Sequence, residues 1–123
     1  MLTEPTFDKD GYPTDETLAT ITKWDIDDDL SEFLDLMQFV HDAWRWPDWG
    51  WKEEDVVDDR GRRHREYHIS TGGWSGNESL IGALHQNWLF NAIAAESWRR
   101  GGHYVYRIPL KKEEARAFDQ DAT

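Results

Sequence analysis

Apolar residues recur at helical spacing in the first third of the chain. Leu30, Phe33, Leu34, Met37, Val40 and Trp44 follow the i, i+3, i+4, i+7 rule, so the spacing predicts an amphipathic helix that ends before Pro47. Asp29 followed three residues later by Glu32 has the form of a helix cap. Leu18, Ile21 and Trp24 give a shorter helix, capped by Thr14 or Asp15. Alternation then replaces the helical period. Lys52–Val57 and Arg63–Ser70 read as a hairpin turning at Asp59, Arg60 and Gly61, with Arg65, Tyr67 and Ile69 on one face and Glu66 and His68 on the other. Its facing charges, Glu53, Glu54 and Asp55 against Arg62, Arg63 and Arg65, would support the pairing. Residues 77–100 carry more than one apolar stripe, from Leu80 to Trp98, and read as one long helix packed on several sides. In "HYVYRIPL", Tyr104, Tyr106 and Ile108 share a face of a last strand, which Pro109 places at an edge or an end. The order α-α-β-β-α-β predicts an α+β fold: a three-stranded, mainly antiparallel sheet with three helices. Residues 1–13 read as an extended lead-in, 14–110 as a single domain and 111–123 as a charged flexible tail.

Composition narrows the function. The chain has 123 residues, a size suited to one domain, and no cysteine, which excludes disulfides and thiolate metal sites. No apolar run is long enough to span a membrane, and the N-terminus has no signal-peptide pattern, so the expected setting is the cytoplasm. The net charge of −11 is uneven. Residues 1–60 carry 18 Asp and Glu against 5 Lys and Arg, and the remainder carries 7 against 9. A field of that sign disfavours nucleic acid and anionic membrane and attracts basic surfaces. The acidic positions Asp25, Asp27, Asp28, Asp29, Glu53, Glu54, Asp55, Asp58 and Asp59 are therefore expected to form a partner-binding face. Trp46, Trp49 and Trp51, from "WRWPDWGW", would supply its apolar anchors, with Trp49 the most exposed.

Chemical motifs add little. "STGGWSGNE" has the glycines of a phosphate loop but no lysine, and Gly72, Gly73 and Gly76 do not match GxGxxG. Ser75 and Glu78 instead fit S-x-x-E, a capping box at the start of the long helix, with Gly72, Gly73, Trp74 and Gly76 shaping the turn. The five histidines show neither HExxH nor HxH spacing. A site from His68, His103 and Glu66 would require their two strands to be neighbours. Gly73-Trp74-Ser75-Gly76 is not a nucleophile elbow. The run "RGRRHR" lies beside "KEEDVVDD", and mutual neutralisation accounts for both.

The segment "YHISTGGWSGNESLIGALHQNWLFNAIAAESWRRGGHYVYRI" resembles one found in small proteins of tailed bacteriophages, where a TGGWSGNE turn leads into a helix and an RGGHY turn into a closing strand. The resemblance implies a phage setting inside a bacterial host and a small, separately folded protein. It transfers no catalytic residue. Together these features lead to the expectation of a non-enzymatic interaction module without cofactor or metal. It would dock a basic host protein, such as a nucleic-acid-handling or defence protein that it inhibits. Two alternatives stay open: a small-ligand or nucleic-acid-binding accessory protein using the glycine loop and the Arg/His strand, and a small hydrolase or metal enzyme.

Overall fold

The computed structural model describes residues 2–25, 31–99 and 102–110, with only the backbone for residue 31 and residues 95–99. Nine elements follow in order: α1 (Asp15–Thr22), α2 (Ser31–Ala43), α3 (Pro47–Gly50), β1 (Trp51–Val57), β2 (Arg63–Ser70), α4 (Ser75–Gln86), α5 (Trp88–Ile93), β3 (Ala95–Arg99) and β4 (His103–Pro109).

The helical stripe of the sequence becomes α2. Phe33, Leu36, Met37 and Val40 are all buried to 1% exposure or less. Each contributes roughly 1.5–3 kcal/mol by leaving water. An isolated helix of this length is marginal, so that burial is what holds it. In α1, Thr14 is the N-cap and its hydroxyl accepts the Thr17 N–H, while Ile21 reaches the core. The first residues are stitched to this helix. Thr6 N–H donates to Thr17 Oγ1 at 2.8 Å, and Thr17 Oγ1 donates to the Thr6 carbonyl.

The fold is α+β with an antiparallel sheet. The three expected strands are present and contiguous, and the last of them, β4, pairs with β2. The order is β1-β2-β4-β3, because a fourth strand lines the far edge. That strand corrects the sequence reading. The helix expected over 77–100 breaks at Asn87, resumes as α5, ends at Ile93, and is followed by β3, which forms a second hairpin with β4. Asn87 explains the break. Its side chain caps α5 by accepting from Phe90 N–H and donates to the carbonyls of Ile21 and Trp24, partners an uninterrupted helix would not leave it free to reach.

Strand alternation divides the sheet into two faces. Tyr67 and Ile69 of β2 and Tyr106 and Ile108 of β4 are buried in the core with Leu80, Ile81 and Leu84 of α4, Phe90 of α5 and the α2 stripe. The other face carries Glu54, His64, Glu66, His68, Ser70, His103, Val105 and Arg107, none of which joins the core. Of the facing charges expected in the hairpin, only Asp55 and Arg65 stand opposite one another, joined at 2.9 Å. Glu53 faces Tyr67, Glu54 faces Glu66, Arg63 faces Val57, and Arg62 falls in the turn.

Candidate functional site

Asn77 is the residue that organises the surface. Its side chain is wholly buried at the start of α4. Its Oδ1 accepts the Arg45 N–H at 3.0 Å, and its Nδ2 donates to the carbonyls of Arg45 and Thr71 at 3.1 and 3.2 Å. A single amide thus clamps the chain entering α3 to the loop after β2. The clamp explains Trp46, which has φ +63° and ψ +52°, the left-handed region that a bulky side chain rarely enters. Such a conformation costs on the order of 1–3 kcal/mol and persists where the surroundings over-determine it.

The glycine loop closes against this turn. A Cβ at Gly72, itself at φ +65°, would stand 3.2 Å from both the Trp46 and Trp49 rings. At Gly76 a Cβ would run into the Trp74 ring. The two sequence features read separately, the tryptophan run and the glycine loop, are therefore one structure. Trp46 meets Trp74 edge-on at 6.4 Å, and Tyr12 from the lead-in lies 5.0 Å from Trp74. The Arg45 guanidinium lies 4.7 Å from the Trp74 ring centre and 5.2 Å from that of Trp46. Those are cation–π distances. Trp46 remains 48% exposed and Trp49 70%. Trp51 instead turns inward, half-buried, with its indole N–H on Glu53 Oε2 and its ring against Trp44 and Tyr67.

The capping box is absent. Trp74 is the N-cap of α4 and makes no side-chain cap; Ser75 lies inside the helix and donates to the Tyr12 hydroxyl at 3.2 Å. Glu78 is exposed in the first turn.

Among the described residues the acidic positions of β1 do not share one face. Glu53 and Asp55 share one face of β1, and Glu54 lies on the other. Asp58 serves the hairpin turn. The backbone N–H of Arg62, then that of Arg60, hold its carboxyl below the usual range against the opposing effect of desolvation. Asp59 and Asp25 are exposed, and Asp27, Asp28 and Asp29 lie outside the described residues.

On the open sheet face, β2 and β4 are neighbours, which the histidine site required. Glu66 is only 8% exposed. Arg107 donates to its Oε2 through Nη2 at 2.6 Å and Nε at 3.1 Å, and His68 Nε2 lies 2.6 Å from Oε1. Glu54 Oε1 stands 3.7 Å from the same His68 nitrogen. Arg107 first, and His68 after it, draw the Glu66 carboxyl below its ordinary pKa despite the opposing effect of burial. His103 does not join by contact. Its Nδ1 pairs with Ser70 Oγ at 2.7 Å, and its ring centre is 6.2 Å from that of His68. Among the described residues no helix is long and apolar enough to cross a membrane.

Sequence reasoning missed Asn77, Arg45 and Tyr12 because their roles depend on partners 32 and 63 residues away. Trp88, read as part of an apolar helix, is 73% exposed on α5. The architecture that emerges is a two-layer α+β domain with one open sheet face and an aromatic corner at the start of α4. No family model, curated protein or solved structure matches the chain.

Proposed function

We propose that the protein is a non-enzymatic interaction module that docks a basic partner protein at the aromatic corner. The observation that carries this is the pair of exposed indoles, Trp46 and Trp49, held in place by the Gly72 loop and the Asn77 clamp rather than buried. Rigid, preplaced aromatic rings lose little entropy on binding, and Trp, Tyr and Arg dominate interface hot spots. The charge complements them. Asp48 lies between the two indoles in the chain, and Asp8 and Asp10 precede Tyr12, all exposed. The excess acid of residues 1–60 adds a longer-range attraction to cationic surfaces. A bacterial nucleic-acid-handling or defence protein, inhibited within a phage-infected cell because carboxylates replace phosphates in its basic groove, fits this chemistry. The protein itself would bind no nucleic acid.

The test is affinity capture from bacterial lysate, followed by titration of the purified partner with wild-type protein and with the Trp46→Ala/Trp49→Ala variant. Binding should weaken at least 100-fold in that variant, with an unchanged fold. It should be unaffected by Trp88→Ala, which removes an equally exposed ring elsewhere. Association should also slow as salt is raised. A partner that binds the double variant as tightly as wild type would eliminate this docking surface.

A further inference from the structure

We propose that Glu54, Glu66 and His68 form a binding site for one divalent transition-metal cation of the zinc class on the open face of the sheet. The three side chains come from directly paired positions of β1 and β2, where Glu54 stands opposite Glu66 and His68 follows two residues on, on the same face. Their ligand atoms all lie within 4.8 Å of one another. Zinc binds nitrogen and carboxylate oxygen at about 2.0–2.2 Å, so ligand atoms around a tetrahedral ion sit about 3.4 Å apart. The His68 Nε2 distances of 2.6 Å to Glu66 Oε1 and 3.7 Å to Glu54 Oε1 bracket that separation. An ion would enter by rotation of these side chains, without a change in the strand pairing that brings them together.

The surrounding groups are arranged as outer support for such a site. Arg107 occupies Glu66 Oε2 and leaves Oε1 directed at His68, so the carboxylate is oriented and one oxygen is kept for the ion. With Arg107 neutralising one carboxylate, the ion meets a net single negative charge, and it would take the place of the hydrogen shared by His68 Nε2 and Glu66 Oε1. Lys52, opposite His68 on β1, is exposed, and its long stem lets the ammonium remain in water. His103 places a second imidazole nearby. Its Nδ1 is held by Ser70 Oγ and its ring centre lies 6.2 Å from that of His68, farther than the roughly 5 Å of two rings on one tetrahedral ion, so it stays outside the ligand set. The mixed nitrogen and oxygen set selects borderline metals over calcium and magnesium, which prefer oxygen alone.

The experiment titrates the untagged, metal-free full chain with Zn²⁺ by calorimetry and follows Co²⁺ by visible absorption and thermal unfolding. Binding of one equivalent is expected, with a raised Tm and the absorption of a low-coordinate cobalt ion. Glu54→Gln and His68→Ala should each weaken it at least tenfold. The Glu54 side chain is 55% exposed, so its substitution keeps the fold and separates lost ligation from lost structure. Absence of heat and of cobalt absorption in wild type overturns the proposal. So does binding that both variants retain, since the ion would then lie elsewhere on the chain.

Discussion

The aromatic corner and the open sheet face each depend on one buried polar side chain, but of different kinds. At the corner the group is a neutral amide, Asn77, and the three partners in its hydrogen bonds are all backbone groups. On the sheet it is a carboxylate, Glu66, and its named partners are the ionisable side chains of His68 and Arg107. A neutral amide satisfied by peptide groups fixes geometry at any pH at which the chain is folded. A carboxylate satisfied by side chains remains adjustable, because protons or cations can compete for the same oxygens. The corner is accordingly suited to presenting a fixed shape, and the sheet face to responding to its solution.

The largest effect should come from breaking the corner. Asn77→Ala removes three hydrogen bonds and leaves Arg45 N–H and the Arg45 and Thr71 carbonyls without that partner, in a site with no solvent access for the amide. Each unsatisfied buried group costs about 1–3 kcal/mol. A loss of about 3 kcal/mol is expected by urea unfolding, and its size should be the same at pH 5 and pH 8. The strained Trp46 backbone should relax with it, shifting the tryptophan emission. A loss that varies steeply with pH would mean that the corner, like the sheet, is held by charge.

The sheet face should show the opposite behaviour. Glu66 is held below its ordinary pKa by Arg107 and His68, so its contribution is present above the unfolded value of about 4.5 and is lost as pH falls through the lower folded value. Glu66→Gln should cost about 1 kcal/mol near neutrality, a modest figure because Arg107 is half exposed and reaches water when abandoned. The difference between variant and wild type should shrink steadily below pH 4.5. Urea midpoints measured from pH 7 to pH 3 check this. Parallel curves would remove Glu66 from any acid-sensing role and sharpen the contrast only at the corner.

How much of this was legible depends on the range of the contacts. Helix α2 could be read because apolar residues repeat at helical spacing, a local signal that packing then honours at Phe33, Met37 and Val40. The first hairpin and β4 could be read from alternation, down to the faces of Tyr67 and Tyr106. Strand β3 could not. "AESWR" is short, and its Ala and Glu favour helices, so the apolar period continued from α4 without a visible break. The buried Asn87 was the signal, since an amide facing Ile21 and Trp24 carbonyls ends a helix that propensity alone would extend. The candidate site was half legible. The exposure of Trp49 could be expected from the Pro and Gly around it, whereas its union with the glycine loop needed the tertiary clamp. The acidic run had no such constraint, and β alternation sends Glu53 and Glu54 to opposite faces.

The smallest expected effect tests the corner at its rim. From sequence, Ser75 and Glu78 form a capping box whose loss would cost about 1 kcal/mol. In the folded chain Ser75 is already helical, and its hydroxyl makes only an exposed 3.2 Å contact with the Tyr12 hydroxyl. Ser75→Ala should therefore lower stability by less than about 0.5 kcal/mol, as for a surface change outside special features. Thr14→Ala is the matched control, because Thr14 does cap α1, accepting from Thr17 N–H and meeting Thr6 Oγ1 at 2.6 Å. It should lose about 1 kcal/mol. Measured together by urea unfolding, the two substitutions should differ in that order. If Ser75→Ala costs as much as Thr14→Ala, the start of α4 is held by its own cap, and the Asn77 clamp carries less of the corner than its buried hydrogen bonds indicate.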